Sequence, residues 1–303
     1  MPPKVSVVIP AYNAASFIDK TLGTVAAQSY RDLEVVVVDD GSADDTKAVV
    51  DRWLEREKIP GRCIRQANKG IAGARNAGWR AARAEYVSFL DHDDAWHPEK
   101  LAASMAELEA HPESHLVCHD ENVYENGKLT RVHRNGPWRE GMYERLLFEG
   151  NALSPSCVTV RKAKLEEVGG FRENKEFNTV EDYDIWMRLA KACRMRFIAR
   201  VLGDYNYDER GACRRIIYHH TNLEHLLRDH FKSLYGDAPG WTARLRMRRR
   251  LAAAYRSALG QLYTYDEEPQ AQREYLARML RAFPFDPKNI ARALLWALRR
   301  LRR

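Results

Sequence analysis

Tyr86-Val87-Ser88-Phe89-Leu90-Asp91-His92-Asp93-Asp94 is the stretch on which the reading of this chain turns. A β-prone apolar run stops abruptly on three carboxylates placed within four residues. A strand that delivers clustered acids to its carboxyl end suits a divalent cation and the phosphates it carries, because open α/β sheets bind ligands at that end. The same residues also read as an acidic turn capping the next helix, with Asp94 placed before Ala95-Trp96-His97-Pro98.

The segments upstream repeat the pattern. Val5-Ser6-Val7-Val8-Ile9 is a buried-strand run ending at Pro10-Ala11-Tyr12-Asn13, and Leu33 to Val38 is a second, ending at Asp39-Asp40-Gly41-Ser42. Between them Phe17, Ile18, Thr21, Leu22 and Val25 recur at helical spacing, with Ser16 available as a cap. A helix carrying Val49, Val50, Trp53 and Leu54, a third strand near Cys63-Ile64-Arg65 and an Ala-rich helix over 71–82 follow. Repeated strand–helix units predict a largely parallel sheet with helices on both faces, so the three polar strand ends share one rim. Taken singly, Asp40-Gly41-Ser42 is an ordinary turn and Arg75 an ordinary ion-pair partner. Their joint placement is what favours a site.

Composition sets the remaining bounds. The chain has 303 residues, 45% apolar and 30% charged, as in folded globular proteins. No apolar run approaches the roughly 20 residues that cross a bilayer. Met1-Pro2-Pro3-Lys4 leads directly into a strand and does not read as a signal peptide. Cys63, Cys118, Cys157, Cys193 and Cys213 are scattered without metal-ligand spacing, which suits free thiols in a reducing cytoplasm. The net charge of +7 is uneven: Leu226 to Arg303 holds 17 Lys and Arg against 7 Asp and Glu, so residues 1–225 carry a net −3.

As an ordered set, Val7-Val8-Ile9-Pro10-Ala11-Tyr12-Asn13, Val37-Val38-Asp39-Asp40-Gly41-Ser42, Asn68-Lys69-Gly70 with Ala74-Arg75-Asn76, and Phe89-Leu90-Asp91-His92-Asp93-Asp94 resembles the family 2 glycosyltransferases of the GT-A fold. The resemblance covers about the first 225 residues. It implies an α/β, Rossmann-like, mostly parallel central sheet flanked by helices. Residues 1–98 would form the nucleotide-binding half, 99–225 the acceptor-binding half and 226–303 a basic helical C-terminal region. It further implies a nucleotide-sugar donor, usually a UDP-sugar, with Mn²⁺ or Mg²⁺ on the diphosphate. By that carry-over Pro10, Tyr12 and Asp40 contact the base, with Ala11, Asn13, Gly70 and His92 in the same donor site. Arg75 lies near the nucleotide, Asp91 near the ribose, and Asp93 on the metal, with Asp91 beside it.

Displacing a nucleoside diphosphate with inversion also needs a carboxylate to deprotonate the incoming hydroxyl. Val168-Gly169-Gly170-Phe171 followed by Thr179-Val180-Glu181-Asp182-Tyr183-Asp184-Ile185-Trp186 resembles the family's Gly-Gly-Phe and Glu-Asp segments. The resemblance assigns the base to Asp182, ahead of Asp184. It places Glu181 and Trp186 on the acceptor side. Without it, the acids would simply favour a helix N-terminus while Ile185, Trp186 and Leu189 bury the other face. Ser154 and Ser156, in the stretch after Gly150, suit either sugar hydroxyls or a turn. Trp138 suits either stacking or a core. Glu125-Asn126-Gly127-Lys128 reads as a hairpin turn. Many family members place a His in the loop after the base helix, whereas Asp204 to Gly211 has none. His219 and His220 suit either that role or a helical surface pair, and Arg210, Arg214 and Arg215 could neutralise phosphate instead.

The tail has helical periodicity through Leu251, Tyr255, Ala258, Leu259 and Leu262, then Tyr275, Leu276, Met279 and Leu280. Beyond Pro284 and Pro287, a last helix over 289–303 sets Ile290, Leu294, Leu295 and Leu298 against Arg292, Arg299, Arg300 and Arg303. Such a helix either lies on an anionic membrane or packs on the body with its Arg face in water. The Arg244 to Arg250 cluster favours the membrane. These readings predict a cytoplasmic enzyme, peripheral on the inner face of the plasma membrane through 288–303. Its acceptor would be a lipid-linked or cell-surface glycan, and self-association is left open. A nucleotidyltransferase would share the nucleotide half but leave the Glu-Asp helix unexplained. Nucleic-acid binding through the basic tail is disfavoured, because its Arg residues lack interleaved aromatics for stacking.

Overall fold

In the computed structural model, which describes residues 2–207, 215–264 and 268–301, the valine-rich runs form two buried strands of a nine-stranded sheet. The first half alternates strictly: β1 (Val5–Ala11), α1 (Ile18–Ala26), β2 (Leu33–Asp39), α2 (Thr46–Glu57), β3 (Gly61–Arg65), α3 (Gly70–Ala81) and β4 (Tyr86–Phe89). β5 (Ala95–Trp96), α4 (Lys100–Ala110), β6 (Ser114–Glu125), β7 (Lys128–His133), α5 (Met142–Glu149), β8 (Thr159–Arg161) and α6 (Lys162–Glu167) follow. α7 (Glu181–Ala192) and β9 (Arg194–Tyr207) complete this part, and α8 (Ile216–Tyr235), α9 (Trp241–Thr264), α10 (Pro269–Ala282) and α11 (Pro287–Leu301) form the tail.

The strand order is β3-β2-β1-β4-β8-β6-β9-β5, with β7 paired to β6. β1, β2, β3 and β4 are mutually parallel, as the alternation predicts. β8 then runs antiparallel to β4 and β6, while β6 and β9 are parallel. β1 and β2 are buried along their whole length, as strands covered on both faces must be. The expected hairpin is present: Glu125 pairs with Lys128 across Asn126 and Gly127, both at positive φ.

Two capping expectations are corrected. α1 begins at Ile18 with no side-chain cap, so Ser16 does not serve. Asp94 caps no helix either: β5 follows it, and α4 starts only at Lys100.

The chain divides into two compact units. The first comprises Met1–Tyr143, Asn151–Asn174 and Glu181–Gly211, and the second Glu144–Gly150, Lys175–Val180 and Ala212–Arg303. A boundary at 225 would cut α8, which continues unbroken to Tyr235. Within the second unit Leu226, Leu227, Phe231, Leu251, Tyr255, Leu259, Leu262, Tyr275 and Met279 are buried. No helix among the described residues is long and apolar enough to cross a membrane.

Candidate active site

Register brings the strand ends together. Ala11 of β1 lies beside Asp39 of β2, and Val8 of β1 beside Phe89 of β4, so Tyr12, Asp40 and Asp91 emerge at one edge. Gly41 makes the β2 turn feasible: its φ is +78°, and a Cβ there would lie 2.9 Å from the Asn68 backbone nitrogen. Buried Asp39 accepts the Ser42 N–H at 2.9 Å and closes the turn. Ser42 in turn accepts the Asn13 N–H, while the Asn13 side chain accepts from Ala43.

The residues expected at the base lie along this edge. Tyr12 is 48% exposed and presents an available ring. Asp40 is buried and accepts from Gln66 and the Lys69 N–H, both on Oδ1, leaving Oδ2 without a donor among the described residues. Pro10 and Ala11 are buried strand residues; the Pro10 carbonyl lies 3.0 Å from His92 Nδ1, which positions that ring. Gly70 starts α3 at φ +74°.

Arg75 is placed differently from the expected nucleotide contact. Its side chain is 2% exposed and forks between Asp91, at 2.8 and 3.0 Å, and Glu181, at 2.8 Å. Burial works against its charge, but Asp91 and Glu181 outweigh that and raise its pKa. Arg75 therefore ties the acidic loop after β4 to the first residue of α7. Glu181 belongs to this pairing and not to an acceptor surface; burial raises its pKa even against the pull of Arg75.

The same helix presents Asp182 to the site. Its carboxylate is half-buried, accepting the Tyr183 N–H at 2.6 Å and the Asn151 side-chain N–H at 3.2 Å. Burial first, then the adjacent Glu181 charge, push Asp182 up to about 7. A carboxylate poised there can take a proton at neutral pH. Asp184, the rival, is fully buried and bonded to Arg188 at 2.8 Å. Arg188 also donates to the carbonyls of Val168 and Gly170, which makes Asp184 a strut for the Gly-Gly-Phe turn. That turn is locked from α3 as well. Asn76 accepts the Phe171 N–H, donates to its carbonyl, and leaves no room for a Cβ on Gly170, which would lie 2.6 Å from Asn76 Oδ1.

Two acceptor-side expectations are corrected by burial. Trp186 is 0% exposed and packs edge-on against Phe89 and Phe171 as a core residue. Ser156 is buried, donates to Asp94 at 2.5 Å and accepts the Asp91 N–H. Ser154 is half-buried, with an Oγ that has no hydrogen-bond partner among the described residues. Trp138 is half-buried.

Within the acidic loop the residues separate by environment. Asp94 is buried; it accepts from Ser156 and from the Asn206 N–H, and desolvation with the nearby Asp93 and Asp91 raises its pKa well above the carboxylate range. Asp93 is exposed, and the Asp91 side chain is one-fifth exposed but engaged by Arg75. No group of three or more His, Cys, Asp or Glu among the described residues forms a metal cage. An exposed carboxylate beside a second, partly engaged one instead fits a hard divalent ion that draws its remaining ligands from phosphates and water.

His220 is buried edge-on against Tyr275 in the second unit, where burial pushes it down to about 4, and His219 lies 3.1 Å from Thr179 Oγ1. Arg215 is exposed, while Arg210 and Arg214 lie outside the described residues.

Sequence reasoning gave no role to Asn76, Asn151 or Asn206, whose bonds span long separations. It also missed Lys100, fully buried with its ammonium on Ser88 and Thr159 and 4.0 Å from the Trp96 ring, where burial pushes it down to about 7.

Turns at the strand ends, an exposed acidic loop and a helix-borne carboxylate make up this candidate site. Residues 6–169 match the Glycosyl transferase family 2 model, and the chain belongs to that family. The glycosyltransferase alr2836 of Nostoc sp. is 35% identical over 170 residues, which are 54% of this chain and 53% of that relative. The amylovoran biosynthesis glycosyltransferase AmsB of Erwinia amylovora is 31% identical over 212 residues, 66% of this chain and 69% of AmsB. The aligned part therefore spans about half to two-thirds of these relatives' own lengths. The fold matches the crystal structure of S. aureus TarS 1-349 in complex with UDP-GlcNAc, with a TM-score of 0.70. That match has 20% identity and covers 92% of this chain and 81% of TarS.

Proposed function

We propose that this glycosyltransferase moves a hexose or N-acetylhexosamine from a UDP-sugar to a hydroxyl of a glycan acceptor, in one inverting displacement. The observation that carries the reading is Asp182. It is half-buried, raised to about 7, and fixed by its neighbour Glu181 through Arg75 to the loop that holds Asp91 and Asp93. In the step, the acceptor oxygen forms a bond to the anomeric carbon from the face opposite the leaving group. The bond from that carbon to the phosphate oxygen breaks, its electron pair leaves with UDP, and the hydroxyl proton passes to Asp182. Asp93, with Asp91 beside it, would hold Mn²⁺ or Mg²⁺, which when bound supplies Lewis-acid neutralisation of the leaving diphosphate.

The half-exposed Tyr12 ring and the open Oδ2 of Asp40 support a base-recognising donor edge, and the TarS complex with UDP-GlcNAc favours uridine. The relative AmsB, named for amylovoran biosynthesis, supports a polysaccharide acceptor. Thermal stabilisation by UDP with Mn²⁺, set against GDP, CTP and single-stranded DNA, tests the donor class. A larger shift with GDP would overturn the uridine assignment. Turnover over a panel of UDP-sugars by wild type and Asp182→Asn tests the base, and undiminished transfer by the variant would remove it.

A further inference from the structure

The second unit inverts the usual arrangement of an amphipathic helix. α11 turns Asn289, Arg292, Ala293 and Trp296 inward, a stripe at i, i+3, i+4 and i+7. Asn289 is completely buried, accepting from Arg256 at 2.5 Å and donating to the Phe283 carbonyl at 2.7 Å. Arg292 comes within 3.3 Å of the space beside Gly260 of α9. Ile290, Leu294, Leu295 and Leu298 are left 46–60% exposed. The alternative in which α11 packs by its leucines with arginines in water is therefore not the one adopted. A water-facing leucine row is costly unless something apolar covers it.

What covers it is indicated by the cleft at the start of the same helix. A cavity of about 680 Å³ is lined by Arg246, Arg249, Arg250, Arg256 and Lys288, with aromatic walls from Phe148, Phe283 and Phe285. Asp286 is the acid in its lining, 3.7 Å from Arg256, and Arg246 also pairs with Glu144 at 2.7 Å. Arg249 sits over the Phe283 ring and, like Lys288, has no acidic partner among the described residues. The cleft and the leucine row are continuous: Lys288 precedes Leu295 by seven residues on one face of α11, and Phe285 at the cleft is 81% exposed. On α9, exposed Trp241 and Leu245 precede Arg249 at four-residue steps.

From this continuity of unpaired cations with an outward apolar row, we infer that the second unit docks on an anionic phospholipid bilayer. The phosphate of one headgroup enters the Arg249–Lys288 cleft, and Leu294, Leu295 and Leu298 enter the acyl boundary. Charge complementarity selects this occupant over a second copy of the chain, which would oppose one basic cleft with another. The inference stands apart from the Asp182 reading, because it concerns only the second unit.

The test is co-sedimentation of the full chain with phosphatidylglycerol–phosphatidylcholine vesicles, against pure phosphatidylcholine, with sedimentation velocity for oligomeric state. Each neutralised cation near an anionic surface weakens partitioning about fivefold, so Arg249→Ala with Lys288→Ala should lose roughly 25-fold. Leu294→Gln with Leu298→Gln should release the protein at unchanged charge. Both variants should keep the wild-type melting temperature and its stabilisation by UDP with Mn²⁺. Equal pelleting with both vesicle types, or pelleting indifferent to Arg249 and Lys288, overturns the headgroup cleft. Competition by inorganic phosphate without vesicle binding assigns the cleft to a free anion and overturns the bilayer. A dimer broken by Leu294→Gln, without vesicle binding, overturns it in favour of a second copy.

Discussion

Helices α7 and α11 are both amphipathic, and they settle their two faces in opposite ways. α7 buries Ile185, Trp186, Met187 and Leu189 completely and draws Glu181 and Asp184 in with them. α11 buries an asparagine and leaves its leucines in contact with solvent. The difference teaches where each unit departs from the ordinary partition of polar and apolar residues. In the first unit, charge is taken out of water to hold and tune a carboxylate. In the second, apolar surface is kept in water.

The contrast is broken most severely at Asp182. Replacing it with Asn should lower kcat by roughly 10²–10⁴-fold, the range for removing a general base, while UDP stabilises the variant as it does wild type. Loss of UDP binding as well would move Asp182 from chemistry to structure.

Arg75→Met comes next, because it strands the Asp91 and Glu181 charges. It should cost about 3–5 kcal/mol in denaturant unfolding at neutral pH. The loss should shrink as pH falls and Glu181, whose pKa burial raises, takes up a proton, whereas a pH-independent loss would reduce Arg75 to packing.

The pH profile sharpens the same point. With Asp182 raised to about 7, its basic form declines below that value, so kcat should fall about tenfold for each pH unit below it. A plateau extending to pH 5 would contradict the burial argument.

Matched truncations give the smallest effects. Leu189→Ala on α7 should cost about 2–5 kcal/mol, whereas Leu294→Ala on α11 should stay within about 0.5 kcal/mol. A large loss at Leu294 would mean that its face is covered within the folded chain.

Much of the architecture was legible because burial on both faces leaves a local mark. The valine runs of β1 and β2, the acids at their ends and the periodic leucines of α9 need no knowledge of distant partners. Asp182, Asp93 and Asp40 were singled out by motif order, and their roles are those proposed above. Trp186 and Ser156 were misplaced because a residue next to a site and a residue supporting it from beneath have the same sequence neighbours. Whether Trp186 faces a sugar or Phe171 depends on how α7 is rotated against the sheet.

The sequence by itself determined the alternating strand–helix order, the acidic strand ends and the basic tail, since each follows from local pattern and composition. Tertiary structure alone decided that Arg75 clamps Asp91 to Glu181, that Asn76 grips Phe171 from 95 residues away, and that α11 faces its leucines outward. Those outcomes rest on contacts between segments far apart in the chain. Periodicity identifies the two faces of a helix, and packing decides which of them meets the protein.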